Sequence, residues 1–111
     1  MGIQHWSDNI VIVDLPQEPE MAEDLETLVE MLSGEDHCSV VVDFSSVGVV
    51  TSSSLSKLLE LRKMLLDCGR RLIFCGLHDA TRGIFAVTGL DEAFEIADDK
   101  FVALATLEMI G

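Results

Sequence analysis

Four consecutive hydroxyl side chains, Thr51, Ser52, Ser53 and Ser54, stand directly before a leucine-rich stretch. The spacing of Leu55, Leu58, Leu59, Leu65 and Leu66 predicts a helix over Ser52 to Asp67 with those leucines inward, ended by Cys68-Gly69. The hydroxyls therefore fall on a first helical turn, where backbone N–H groups lack an acceptor within the helix and the dipole is positive. Two chemistries suit that position. The hydroxyls can simply cap the helix, a task Thr51 could perform alone for about 1 kcal/mol. Alternatively, Ser52 or Ser53 accepts a phosphoryl group, whose charge and oxygens the free N–H groups stabilise while the surface offered to a docked partner changes.

Other chemically capable residues form weaker constellations. Asp14 and Asp43 lie near strand ends and invite comparison with a phosphoacceptor receiver domain, which needs an acidic cluster for Mg²⁺ and a lysine at a late strand end. No lysine lies between Ile96 and Lys100 and no second acid adjoins Asp14, so both read as structural strand-end acids. His5, His37 and His78 have no partner at metal-ligand spacing, and His37 beside Cys38 is sterically poor for one tetrahedral ion, so no metal is expected. Cys38, Cys68 and Cys75 are odd in number and widely spaced, which predicts buried reduced thiols. G-x-S-x-G, P-loop and G-x-G-x-x-G patterns are missing, so neither enzymatic activity nor a bound cofactor is expected.

The elements that must position the hydroxyls follow from hydrophobic period. Ile3 to Ser7 and Ile10 to Leu15 read as a hairpin closed by Pro16; Glu20 to Leu32 is a helix with Met21, Leu25, Leu28, Val29 and Leu32 inward, stopped at Ser33-Gly34. Cys38 to Phe44 suits a central parallel strand, and Arg71 to Leu77 is the next strand. Asp79 is the expected N-cap of a short helix reaching about Val87, with Gly89 at its end. Ala93 to Ile96 reads as the last strand, before a helix capped by Asp98 or Asp99 with Phe101, Leu104, Leu107 and Ile110 inward. The order ββαβαβαβα predicts a single α/β domain over residues 1–111 with a mixed β-sheet.

Composition narrows the function classes. The 111 residues are 49% hydrophobic and carry a net charge of -13, which fits one acidic compact domain and not a disordered chain. The longest charge-free run, Phe44 to Ser56, holds six serines and a threonine, so no membrane insertion is expected. The start MGIQHWSDN lacks the pattern of a signal peptide, which points to the cytoplasm. Residues 1–56 contain eleven acids and no Lys or Arg, a surface that repels phosphate backbones and argues against direct nucleic-acid binding. Glu20, Glu23, Asp24, Glu26 and Glu30 make four like-charge pairs on the first helix, costing about 1 to 2 kcal/mol in all. That face is either a solvated surface or one that steers toward a basic partner. Lys57, Glu60, Lys63 and Asp67 form a self-compensated stripe on the second helix and leave its start low in charge.

Around the hydroxyl run the sequence resembles the STAS domain family, whose best-known members are bacterial anti-sigma factor antagonists. Family members carry a strand ending in Asp-Leu-Ser, then Asp-Ser-Ser-Gly-Leu opening a helix; the corresponding residues are Asp43-Phe44-Ser45 and Thr51-Ser52-Ser53-Ser54-Leu55. RLIFCGL, the helix around Arg82 and Phe85, and VTGLDEAFEI are similar to the family's later segments, so the likeness covers nearly the whole chain. The resemblance implies the STAS α/β fold and reversible binding to a serine-kinase anti-sigma factor. It implies phosphorylation at Ser52, with Ser53 as substitute, by ATP bound to that kinase, and release on modification. It also implies a partner surface of Asp43, Ser45, Thr51, Ser52, Ser53, Ser54 and Leu55. Thr51 stands where the family has Asp, and Ser54 where it has Gly. Unphosphorylated family members act as adaptors in transporters or lipid-trafficking assemblies, which is the alternative expectation; a homodimer is compatible with either.

Overall fold

Runs of β-branched and large apolar residues make the strands at the centre of the molecule. The computed structural model describes residues 1–33 and 38–110; the expected helix stop at Gly34 and His37 lie outside the described residues, as does the side chain of Ile110. β2 (Ile10–Asp14) pairs in parallel with β3 (Ser39–Asp43), and β3 with β4 (Leu72–Cys75). β1 (Gly2–Ser7) runs antiparallel to β2 at one edge, and β5 (Glu95–Ala97) runs parallel to β4 at the other. Among the described residues the sheet order is β1-β2-β3-β4-β5.

The helices are α1 (Glu20–Ser33), α2 (Ser52–Asp67), α3 (Asp79–Thr88), the single turn α4 (Leu90–Ala93) and α5 (Lys100–Ile110). Alternate strand residues feed two separate cores. Val11, Val13, Val40, Val42, Leu72 and Phe74 pack with α1, α2 and α3, whereas Ile10, Ile12, Val41, Ile73 and Cys75 pack with Ala103, Leu104 and Leu107 of α5. A strand covered on both faces has no reason to alternate apolar with polar residues, which is why IVIV and VVV are continuous. Phe44, Phe74, Phe85 and Phe94 form an aromatic cluster in the first core, Phe74 and Phe94 stacking at 4.5 Å.

Several expectations need correction. The segment read as a strand over Ala93 to Ile96 is divided. Gly89, at φ 78°, ends α3 in the left-handed region; α4 follows, and β5 starts only at Glu95. Phe94 anchors this arrangement by entering the aromatic cluster. The N-cap of α3 is His78, without a side-chain cap bond, and Asp79 is the first helical residue, where its charge still faces the positive end of the dipole. On α2 the inward face is Ser54, Leu58, Leu61 and Leu65; Leu55 is half-buried, while Leu59 and Leu66 are exposed. The helix has more leucines than one face can hold, so hydrophobicity does not choose the phase.

The same ambiguity affects α5, which is apolar nearly all round. Asp99 Oδ1 accepts from the Val102 N–H at 2.9 Å, as the capping expectation requires, and Leu104 and Leu107 are buried. Phe101, expected inward, is 74% exposed, and Ala103 faces the sheet instead. Cys38 and Cys75 are buried, but Cys68 is exposed at the C-cap of α2. Burial, and next the Asp43 carboxylate, push the Cys75 thiol up to about 12, so it packs as a neutral side chain. The α5 phase is open to measurement. Leu104→Ala should cost about 2 to 5 kcal/mol in denaturant unfolding, whereas Phe101→Ala should stay within about 0.5 kcal/mol; equal losses would contradict this packing.

Candidate functional site

The hydroxyl run opens α2 as its residue types predict. Thr51 is the N-cap, with extended backbone (φ -82°, ψ 165°), and its Oγ1 accepts from the Ser54 N–H at 3.2 Å. The Leu55 N–H returns to the Thr51 carbonyl at 3.0 Å. Ser52 and Ser53 are exposed, and among the described residues their N–H groups have no hydrogen-bond acceptor. Ser54 points the other way and is fully buried. Capping and availability for modification are thus divided among neighbouring residues.

A residue absent from the sequence-based site completes it. Glu18, from the segment between β2 and α1, brings Oε2 to the helix start, where it accepts from the Thr51 N–H at 2.9 Å and from the Ser54 hydroxyl at 2.8 Å. Its Oε1 is shielded from solvent without a hydrogen bond in the described structure. Partial burial pushes the Glu18 carboxyl up, but the hydrogen bonds from Thr51 and Ser54, with a smaller contribution from the Ala22 backbone, outweigh this and hold it below its ordinary value. A positive helix end that looks neutral along the sequence therefore already holds an anion in space. Glu18 lies 33 residues before Thr51, and its only mark in the sequence is an acid between Pro16 and Pro19.

Asp43 and Ser45 form a second cluster at the carboxyl ends of the parallel strands. Asp43 Oδ1 accepts from both the Ser45 N–H at 2.8 Å and the Ser45 hydroxyl at 2.5 Å. His78 Nε2 lies 2.8 Å from the Ser45 carbonyl, which makes this histidine a brace for the loop rather than a bystander. Gly76, at φ 70°, passes so close that a Cβ there would lie 2.6 Å from Ser45 Oγ and 2.7 Å from Asp43 Oδ1. Lys100 reaches both acids, at 3.8 Å from Asp14 Oδ1 and 3.7 Å from Asp43 Oδ2. The first residue of α5 thus supplies the lysine that strand spacing seemed to deny, although no group of three His, Cys, Asp or Glu able to hold a metal ion occurs among the described residues.

The candidate residues are accordingly placed in two groups. Thr51, Ser52, Ser53, Ser54 and Leu55 share the start of α2 with Glu18, while Asp43 and Ser45 hold the loop leading to it and have no hydrogen bond to the hydroxyl run among the described residues. The acidic face of α1 is also less isolated than its helix alone implies. Lys57 of α2 lies 3.9 Å from Glu26, and the Met1 amine 3.0 Å from Asp24. Lys57 therefore serves α1, leaving Lys63–Asp67 at 2.9 Å as the ion pair within α2.

A family model described as the STAS domain matches residues 8–101, a span that includes both clusters. The chain belongs to the STAS domain family. Among solved structures, the anti-sigma-factor antagonist (STAS) domain protein of Planctomyces limnophilus has a TM-score of 0.83 at 18% identity, with 96% of this chain and 97% of that one covered. A variant of RsbS from Moorella thermoacetica gives 0.82 at 20% identity over 98% and 95% of the two chains. The Bacillus cell fate determinant SpoIIAA in its phosphorylated form gives 0.70 at 13%, over 99% and 98%. At these identities the likeness establishes the shared STAS fold alone. Among curated proteins none matches the chain significantly. No helix among the described residues is long and apolar enough to cross a membrane.

Two substitutions test the geometry of this STAS domain. The folded Glu18 carboxyl titrates below its unfolded value of 4.5, so its stabilisation is present above that pH and is lost as pH falls through the folded value. Glu18→Gln should therefore cost about 1 to 2 kcal/mol at neutral pH, and urea midpoints of the two proteins should converge below pH 4.5. Gly76→Ala combines a positive φ with the Ser45 and Asp43 clash and should lower stability by about 1 to 3 kcal/mol, read by thermal unfolding.

Proposed function

We propose that this STAS domain is an anti-sigma factor antagonist-like regulator. It binds a serine-kinase anti-sigma factor while Ser52 is unmodified and is released when Ser52 is phosphorylated. The observation that carries the reading is the exposure of Ser52 on a first helical turn whose neighbours, Thr51 and Ser54, are tied down by hydrogen bonds. ATP belongs to the partner. Its γ-phosphoryl group passes to Ser52 Oγ, ADP leaves, and the hydroxyl proton is taken by a base of the kinase. The chain is then substrate and ligand, not catalyst. Ser53 is the substitute acceptor, and the partner surface comprises the exposed Ser45, Thr51, Ser52 and Ser53 with the half-buried Asp43 and Leu55; Ser54, expected there from the sequence, is buried and supports the patch from within.

The anti-sigma antagonist character of the structural neighbours supports this reading, and one neighbour is a phosphorylated form. The physical argument is local. A phosphoserine adds roughly 1.5 to 2 negative charges and three acceptor oxygens to a patch whose exposed side chains, Thr51, Ser52 and Ser53, are small and uncharged, enough to abolish a closely docked interface. Burial of Ser54, which fixes the patch as a rigid surface, favours a second reading as an adaptor without a phosphorylation cycle.

Incubation with the cognate kinase and ATP should put phosphate on Ser52, detected by mass spectrometry; an unmodified Ser52 would sink the switch. Ser52→Asp should weaken kinase binding by at least about tenfold, or roughly 1.4 kcal/mol, in calorimetry. An adaptor should tolerate Ser52→Ala and respond mainly to changes in bulk.

A further inference from the structure

A phosphoryl group on Ser52 would arrive at a helix end that already holds one anion. Glu18 Oε2 already takes the Thr51 N–H and the Ser54 hydroxyl, at 2.9 and 2.8 Å, on the residues that flank Ser52 and Ser53. Both anions would draw on the same positive end of the α2 dipole, and among the described residues no lysine or arginine pairs with Glu18 to screen them from each other. We propose that Glu18 is the resident anion of this site, holding the first turn of α2 in its unmodified arrangement, and that phosphorylation of Ser52 expels the carboxylate from Thr51 and Ser54. The proposal rests on the reading of Ser52 as phosphoacceptor; the group transferred, its ATP donor and the departing ADP are those given above.

Three features make Glu18 suited to that role. First, its hydrogen bonds to the turn both run through one oxygen, Oε2, so the contact is firm enough to order the turn yet displaceable by a stronger anion. Second, its removal has a consequence inside the protein. Ser54 is fully buried, and loss of Glu18 leaves its hydroxyl with Thr51 Oγ1, 3.4 Å away, so the first turn must rearrange and cannot merely relax into water. Third, Glu18 lies two residues before α1 begins at Glu20. Displacing it moves the entry to α1, whose first turn carries Glu20 and Glu23. One phosphate would then alter two surfaces, the modified patch itself and the acidic start of α1.

Glu18 acts here as a positioning residue, so its test reads coupling and not stability alone. Amide hydrogen exchange at Thr51 is compared in the wild type, Ser52→Asp, Glu18→Gln and the double variant, the aspartate serving as an anion probe that needs no kinase. In the wild-type background Ser52→Asp should accelerate Thr51 exchange about tenfold and shift the amide resonances of residues 18–22. In the Glu18→Gln background the same change should leave Thr51 exchange within about twofold. Equal acceleration in both backgrounds, or none in either, overturns the proposal. Should Glu18→Gln fail to fold, Glu18→Asp keeps the charge but withdraws the reach, and the aspartate at Ser52 should again lose its effect on Thr51. Because kinase labelling of Ser52 is scored separately, failure of the phosphorylation reading is distinct from failure of the Glu18 coupling.

Discussion

β3 lies between two parallel neighbours with a core on each face, so its three valines meet apolar side chains above and below while its backbone pairs with β2 and β4. Each fully buried valine contributes roughly 1.5 to 3 kcal/mol, and none of the three positions tolerates a polar group without a partner. Polar side chains can therefore gather only where the strands stop. The register places Asp14 and Asp43 opposite each other at that edge, where Lys100 offsets both charges. Asp43, 12% exposed at its side chain, then has an oxygen free to fold Ser45 back and start the loop that ends in α2.

Everything at the start of α2 depends on that loop. Phe44 is tied to β4 through the Cys75 carbonyl and is packed against Phe74, so the backbone leaves the sheet in one direction. Thr51 then caps the helix, Ser54 turns inward, and Ser52 and Ser53 are left on the outside. The difference between a buried and an exposed serine within three positions is a matter of helical phase. It decides which hydroxyl is structural and which is accessible to another protein. Glu18 adds the electrostatic condition, because its carboxylate sits in the same positive field of the helix start that a phosphate would seek.

Much of this was legible from residue types. The β-branched runs of β2 and β3, the period of α1 and the hydroxyl cap of α2 each report a local preference that the tertiary fold reinforces. The misread helix phases share one cause. Where a segment is apolar on more than one side, as in α5, or carries surplus leucines, as in α2, periodicity leaves the phase undetermined and the neighbouring surface chooses it. Phe101 is exposed because Ala103 lets α5 approach the sheet closely, and Leu61 is buried in preference to Leu59 because it lies in phase with Ser54, Leu58 and Leu65. The turn of α4 went unseen because its stabilising contact, Phe94 against Phe74, is remote in sequence.

Local chemistry in the chain was sufficient for the α/β order, for the hydroxyl-rich helix start and for the unequal distribution of charge. These depend on neighbours within a turn or a strand, so their signals are contiguous. The composition of the site depended on contacts across tens of residues. Glu18 reaches Thr51, Lys100 reaches Asp14 and Asp43, His78 reaches Ser45, and Lys57 reaches Glu26. No local pattern encodes such meetings, because the first three arise when strands brought into register carry their connecting segments to the same edge of the sheet, and the last when α1 packs beside α2. The neutral stretch before α2 is neutral only along the chain; folding places a carboxylate against it.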